Sequence, residues 1–343
     1  MRISFVHGVC VRHDAISNAI RDEIEWLRSD PRNEVQLFAF SCDHPEIPYK
    51  KVTNCADIIF DEHFLSSDLV IYHYGIYYCL FDTIALVSTT AKRLVVFHNI
   101  TPIEYTSPEV QTTITKSFAQ LRNVAFADHV VCISTTNLDV IRKAGIPTPA
   151  TIIPLPLKIH PNPPTEKPSF ADGAIRILFI GRFVRSKGPE EALEGVIELL
   201  ERDPNLRVIF DLIGNLSFSD QAIIRGITER IASIELKFRD RASITIHGNA
   251  SEALKDQILQ EADIFVLPTY HEGFCVPIIE AIASGCLVIS YDNSNVPMVS
   301  GGLATLVATG DFETLILAID QSIKKIQSKH WQEASGYLDY ASV

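Results

Sequence analysis

No stretch of this 343-residue sequence approaches the ~18 uncharged apolar residues that a membrane-spanning helix needs. The start, Met1-Arg2-Ile3-Ser4-Phe5-Val6, lacks the long apolar core and small-residue cleavage site of a secretory signal. It reads as a first strand instead. Positive charge is also scarce. Lys and Arg number 30 against 42 Asp and Glu, a formal net charge of −12. That argues against a nucleic-acid partner, which needs a basic face, and gives no support to strong docking on an anionic membrane. The 7 cysteines are scattered at 10, 42, 55, 79, 132, 275 and 286, an odd number with no Cys-x-x-Cys pair. Neither a disulfide framework nor a structural zinc site is expected, and a reducing cytoplasm is. Any membrane contact is expected to be peripheral, at the inner face. Neither half carries Gly-x-Gly-x-x-Gly after its first strand, which disfavours a dinucleotide-dependent oxidoreductase.

Apolar residues are plentiful, at 47% of the chain, so a large core can form. The length suggests two domains. Short apolar runs alternate with amphipathic stretches throughout. In the first half the strand candidates are Arg2–Gly8, Glu34–Phe40, Ala56–Phe60, Asp68–Tyr74, Arg93–His98, His129–Ile133 and Thr151–Pro154. Helices are predicted over Ala15–Ser29, Pro108–Phe126 and Thr135–Ala144. The stretch Leu155–Pro168 holds five prolines and reads as a stiff linker.

A second alternation follows. Its strands are Ile175–Ile180, Arg207–Ile213, Ser243–His247, Asp263–Leu267 and Cys286–Tyr291. Its helices are Pro189–Arg202, Asp220–Leu236, Glu252–Glu261, Pro277–Ser284 and Phe312–Ile326. Repeated strand–helix alternation predicts an α/β chain of two doubly wound, Rossmann-like parallel-sheet domains, residues 1–157 and 175–326. A proline-rich linker (158–174) joins them, and a tail (327–343) follows. A ligand crevice is expected at the carboxyl ends of the strands.

Three segments carry chemistry. The first is Thr269-Tyr270-His271-Glu272-Gly273-Phe274-Cys275-Val276-Pro277-Ile278-Ile279-Glu280, after an apolar strand. Pro277 suits the first turn of a helix, and Gly285 suits its end. The loop Gly273–Val276 then offers free amides at a helix N-terminus, an anion site suited to a diphosphate or a sugar hydroxyl. Glu280 is expected near the first turn, facing the same end of the cleft, where a Glu is also simply stabilising. The second segment is Gly181-Arg182-Phe183-Val184-Arg185-Ser186-Lys187-Gly188, directly after a strand. Alone, such a loop is more often a solvated turn. The third is Phe97-His98-Asn99-Ile100-Thr101-Pro102, at the end of a buried strand, where a lone His is usually structural.

Glu272-Gly273-Phe274-Cys275-Val276-Pro277-x-x-Glu280 resembles the Glu-x7-Glu signature of retaining glycosyltransferases of the GT-B fold, family four (group 1). The resemblance spans nearly the whole chain. It implies that Glu272 contacts the donor sugar and that Glu280 holds the ribose hydroxyls of a nucleotide-diphosphate sugar. It implies that Arg182 and Lys187 clamp the diphosphate, and that His98 reaches towards the donor sugar and phosphate. Arg185 has no fixed counterpart. His73 is a candidate for lining the acceptor side, with a satisfied structural histidine as the even alternative. Gly8 and Val9, in His7–Asp14, lie where relatives approach the substrates.

The sequence departs from the pattern at three places. Cys275 replaces a usual glycine, and its amide keeps its role if no positive φ is required there. Only Gly8 remains of a commonly glycine-rich loop, and Met298 stands where a Glu is frequent. No Asp-x-Asp exists to hold Mg²⁺ or Mn²⁺, so metal-independent transfer is expected, with no cofactor beyond the donor itself. The function implied is transfer of a sugar, with retention, to a hydroxyl on a glycan, lipid-linked or small-molecule acceptor, in cell-surface polysaccharide or glycoconjugate synthesis. A nucleotide-sugar epimerase of the same fold and a catalytically silent scaffold subunit are the alternatives. Relatives end in a helix that crosses to the first domain; here that element is expected to be shortened or absent.

Overall fold

The computed structural model describes residues 1–12, 14–155 and 166–332. The chain forms two α/β units, one of Met1–Glu104 with Pro108–Pro156, the other of Tyr105–Ser107 with Leu157 onward. Each has its own apolar core.

The first unit is built on a seven-stranded parallel sheet. In chain order its strands are β1 (Arg2–Val6), β2 (Glu34–Ala39), β3 (Tyr49–Lys51), β4 (Leu69–Tyr74), β5 (Lys92–Phe97), β6 (His129–Cys132) and β7 (Ala150–Ile152). They lie in the order β3-β2-β1-β4-β5-β6-β7. The second unit repeats the design with six strands: β8 (Ile175–Ile180), β9 (Val208–Gly214), β10 (Ala242–Gly248), β11 (Ile264–Leu267), β12 (Leu287–Asp292) and β13 (Thr305–Ala308). Their order is β10-β9-β8-β11-β12-β13. In both sheets the winding reverses beside the first strand, between β1 and β4 and between β8 and β11. Ligands of doubly wound sheets bind outside the carboxyl ends of the strands at such a switch point.

One device repeats at the opposite end of the strands. The aspartate just before β4, β6 and β11 accepts an amide from the first or second residue of the neighbouring strand. Asp68 takes Arg2 N–H at 2.8 Å, Asp128 takes Arg93 N–H at 2.9 Å, and Asp263 takes Arg176 N–H at 2.8 Å. Each Asp amide donates back to the same arginine's carbonyl. The register is thus pinned where the chain enters each strand.

Most expected elements are present within one or two residues. The proposed strand Ala56–Phe60 is instead a helical turn, Ala56–Ile59. Its apolar run misleads because Asn54 and Asp57 organise the backbone locally. Asp57 accepts from the amide and hydroxyl of Thr53, and Asn54 accepts from Ala56 N–H. The helix proposed over Pro108–Phe126 is α-helical only to Gln120 and continues as 3₁₀. The linker proposed for residues 158–174 contains a helical turn, Ser169–Asp172; residues 158–165 lie outside the described ones. Lys167, just before that turn, is only 2% exposed. Its ammonium donates to the carbonyls of Gln260, Ala262 and Ser284 at 2.7–2.9 Å, at the C-terminal ends of two helices where the dipoles favour a cation. Of the tail, Lys329–Gln332 is a helical turn with Trp331 buried, and the Lys325 ammonium sits 4.5 Å from its ring centre. The expectation about a crossing helix falls on residues 333–343, outside the described ones.

Candidate functional site

In the second unit, two loops leave the strands that flank the switch point. Gly181–Gly188 follows β8, and Pro268–Cys275 follows β11. Backbone and side chain join them: Tyr270 N–H and the Thr269 hydroxyl both donate to Ser186 O, at 2.8 and 2.9 Å. Gly188 makes the approach possible. Its φ is +65°, and a Cβ there would stand 2.3 Å from Pro268 O. The junction brings Lys187 to Glu272, ammonium to carboxylate at 2.6 Å, with side chains 18% and 7% exposed. This half-sheltered ion pair is the centre of the site.

The helix Val276–Ala283 starts directly behind Glu272. Its N-cap, Cys275, accepts no amide with its side chain, and Pro277 lies in its first turn. The first-turn amides have no side-chain cap, as a site for anionic oxygens requires. Cys275 has φ +80°, ψ +65°, a left-handed conformation that favours glycine. The condition that its amide would serve if no positive φ were needed is therefore not met. The chain adopts the left-handed turn with a cysteine in it. The Cβ penalty is ~1–2 kcal/mol, and it is offset by burying the side chain, which is 6% exposed. The two terms are of similar size, so Cys275→Gly is expected to change stability by no more than about 1 kcal/mol. Cys275→Val adds β-branching to the same conformation and is expected to lower stability by ~2–3 kcal/mol. Urea denaturation of both checks this; an unaffected valine variant would show that the turn relaxes freely. Burial, then the Glu272 charge, holds the Cys275 thiol well above its usual pKa, so it stays protonated.

The remaining residues of the loops separate. Glu280 lies in the second turn of its helix, not the first, and pairs with Lys255 at 2.9 Å. Lys255 also bonds Glu252 at 2.8 Å. A ligand reaching Glu280 would compete with that ammonium. Arg182 is exposed and makes no ion pair among the described residues. Arg185 is also exposed. Gly273 is half-buried, Phe274 is buried and Val276 half-buried. Phe274 O accepts from Asn295 Nδ2 at 3.1 Å, a contact nothing in the sequence pattern announced. Met298 is 43% exposed in the short helix Val296–Ser300; nothing in the structure explains why it stands there.

In the first unit, His73 and His98 come together. His73 is in β4, and His98 directly follows β5; they are 1% and 9% exposed. Their rings stack at 5.1 Å, and His73 Nδ1 lies 2.8 Å from His98 Nε2. Two further groups join them that the sequence reading did not single out. Glu23, on helix Ala15–Arg28, lies 3.0 Å from His73 Nε2. His7, at the end of β1, bonds His73 O through Nδ1 at 3.1 Å. The signal for His7 was present, since it ends the first strand as His98 ends another. Asn99 follows His98 with φ +77°, and its buried Nδ2 has no partner among the described residues. Gly8 is buried, where a Cβ would meet Tyr78 Cβ at 3.2 Å. Val9 is 39% exposed and, with Cys10, pairs with Ser41–Cys42.

Burial, with the nearby His73, lowers the His7 pKa to about 4. Burial, His73 and His7 push His98 well below its ordinary value as well. Both rings are therefore neutral in the native chain and gain protons on unfolding. A depressed folded pKa stabilises fully above the unfolded value of ~6.5, and the contribution is lost as pH falls through the folded pKa. The urea midpoint is expected to fall between pH 6.5 and about 4, before most carboxylates titrate. A midpoint flat over that window would show these rings to be solvated.

The family described as glycosyl transferases group 1 matches residues 174–325. Those residues resemble a group 1 glycosyl transferase domain. Around them, the two parallel-sheet units are the architecture of the GT-B fold. HepE of Anabaena, in complex with UDP and glucose, superposes with a TM-score of 0.72 over 100% of this chain and 95% of that one, at 15% identity. At that identity the likeness shows the fold alone. Mannosylfructose-phosphate synthase of Agrobacterium fabrum is 28% identical over 135 residues, 39% of this chain and 27% of that one. A D-inositol 3-phosphate glycosyltransferase of Corynebacterium diphtheriae is 32% identical over 140 residues, 41% of this chain and 30% of that one. The chain thus spans between a quarter and a third of the length of these curated relatives. The Lys187–Glu272 pair and the Cys275 turn both lie inside the matched residues 174–325. Among the described residues no helix is long and apolar enough to cross a membrane, and no cluster of three His, Cys, Asp or Glu could hold a metal ion.

Proposed function

We propose that this protein transfers a sugar from a nucleotide-diphosphate donor to a hydroxyl acceptor with retention of configuration. The observation that carries the reading is the Lys187–Glu272 pair, held at 2.6 Å beside the uncapped start of a helix. A cation, free amides and a carboxylate then stand at one point of a switch crevice. The cation and amides suit a diphosphate, and the carboxylate suits sugar hydroxyls or the positive charge that develops at the anomeric carbon.

In this reading Lys187 turns from Glu272 to the diphosphate when the donor binds, and exposed Arg182 joins it. The anomeric C–O bond to the diphosphate breaks, and the acceptor oxygen bonds the same face. The departing phosphate oxygen takes the acceptor's proton, so no enzymatic nucleophile is needed. Catalysis is positioning and charge stabilisation. Glu280 binds the ribose hydroxyls after Lys255 yields. That HepE was solved with UDP and glucose, and that curated relatives are named for sugar transfer or synthesis, supports the donor class. Lys187 and Arg182 do the work a divalent ion does elsewhere, so transfer is metal-independent. The setting is the cytoplasm or the inner face of its membrane, in glycoconjugate or polysaccharide assembly.

A panel of nucleoside diphosphates and nucleotide sugars, read by thermal shift, tests this. A true ligand at 100 times its Kd adds ~2.7 kcal/mol to stability. The shift should persist in excess EDTA. No shift with any member, or one abolished by EDTA and restored by Mn²⁺, would overturn the reading or its metal independence respectively.

A further inference from the structure

Glu23, His73 and His98 form a hydrogen-bonded line in the first unit whose protons can be counted. Glu23 Oε2 lies 3.0 Å from His73 Nε2, and His73 Nδ1 lies 2.8 Å from His98 Nε2. A carboxylate only accepts, so His73 Nε2 carries a proton and donates it. In the neutral form of His73 that is the ring's one proton, so Nδ1 is a lone pair. His98 Nε2 must then carry a proton and donate to it. His98 is consequently the Nε2–H tautomer, with its lone pair on Nδ1; among the described residues no hydrogen bond to that Nδ1 is present.

The line is held rigidly. Phe5 lies nearly parallel to His73 at 6.2 Å between ring centres, and His98 nearly parallel at 5.1 Å. The backbone of His73 is fixed too, because its carbonyl accepts from His7 Nδ1–H at 3.1 Å and from the Tyr78 hydroxyl at 2.9 Å. Gly75 lets the strand end reach the His98 turn: a Cβ there would stand 3.1 Å from Asn99 O and 3.2 Å from His98 Cβ. The groups facing His73 are thus one carboxylate, from Glu23, and two neutral rings, His7 and His98. Such an arrangement does more than fill space. In other sites, the group that hydrogen-bonds one imidazole nitrogen decides what the other can do.

We propose that Glu23 and His73 are positioning residues that fix His98 in its Nε2–H tautomer, so that His98 Nδ1 accepts a hydrogen bond from a substrate hydroxyl. This rests on the reading of His98 as a substrate contact. It also narrows that reading. A bare lone pair repels a phosphate oxygen and selects a hydroxyl, so His98 meets the sugar or the acceptor alcohol and not the diphosphate.

The relay predicts its own inversion. A donor at position 23 would force His73 Nε2 to accept, His73 Nδ1 to donate, and His98 to become Nδ1–H. Glu23 has a side chain 30% exposed, so substitutions there spare the core. The experiment is long-range ¹H–¹⁵N correlation on ¹⁵N-histidine protein at pH 8, with His98→Gln to assign the signal. Wild-type His98 should show a protonated Nε2 and an unprotonated Nδ1. Glu23→Lys should invert both rings, Glu23→Ala should mix the tautomers, and Glu23→Gln, which keeps an acceptor oxygen, should preserve them. Transfer should fall about tenfold in kcat/KM in Glu23→Lys, the loss of one neutral hydrogen bond, and recover in Glu23→Gln. A wild-type His98 that is Nδ1–H, or tautomers unmoved in both Glu23→Lys and Glu23→Ala, would overturn the proposal. These spectra need no substrate. A fully active His98→Gln variant would instead sink the reading of His98 as a substrate contact.

Discussion

Glu272→Gln is expected to lower sugar transfer by ~10²–10³ in kcat, with donor affinity changed far less. The side chain is 7% exposed and lies against Lys187, so its charge is poorly screened by water. A carboxylate in that place does two things that an amide does only in part. It accepts from sugar hydroxyls, and it offsets positive charge at the anomeric carbon as the bond to the diphosphate breaks. Gln keeps the first ability and loses the second. The loss therefore belongs to the transition state, which is why kcat and not KM should carry it. The fold should survive, because the amide oxygen still accepts from Lys187. Steady-state kinetics on purified variant, beside circular dichroism and a nucleotide-diphosphate shift, give the answer. A near-normal kcat would remove Glu272 from the reaction.

The main lines of the two sheets could be read from the sequence because their inner strands are uninterrupted apolar runs. Residues 94–97, after the two basic residues that open Lys92–Phe97, and Ile264–Leu267 offer no competing pattern. Two edge strands, Tyr49–Lys51 and Thr305–Ala308, were not readable. Tyr49–Lys51 has only three residues and is largely solvent-facing, so burial leaves no mark on it. The Ala56–Ile59 error has a different origin, since its apolar residues say "buried" while the preceding Asn54 and Asp57 dictate a turn. At the site, the resemblance directed attention to Lys187 and Glu272 separately. Their 2.6 Å pairing depends on Gly188 passing Pro268 O, a contact between loops 80 residues apart. Glu23 carried no signal at all. It is one of several acids on a surface helix, and only the hydrogen bond from His73, 50 residues on in the chain, gives it a partner.

That pairing also determines how Lys187 will behave when mutated. Lys187→Ala is expected to lower stability by ~3–5 kcal/mol as well as abolish efficient transfer, because it strands the Glu272 carboxylate in a site with little water. Attraction between the two charges offsets much of their desolvation while both are present, and none of it when one is gone. The double variant Lys187→Met/Glu272→Gln removes both charges together and keeps the volume filled. It is expected to recover most of the lost stability while remaining inactive. A bound diphosphate should widen whatever gap remains between wild type and the double variant: wild type gains a new partner for Lys187, whereas the double variant has no cation to offer. Urea unfolding of Lys187→Met, Glu272→Gln and the double variant, with and without a nucleoside diphosphate, yields the coupling energy directly. If Lys187→Ala proves as stable as wild type, Glu272 must reach solvent in the free protein. The ion pair would then be no placeholder for the donor.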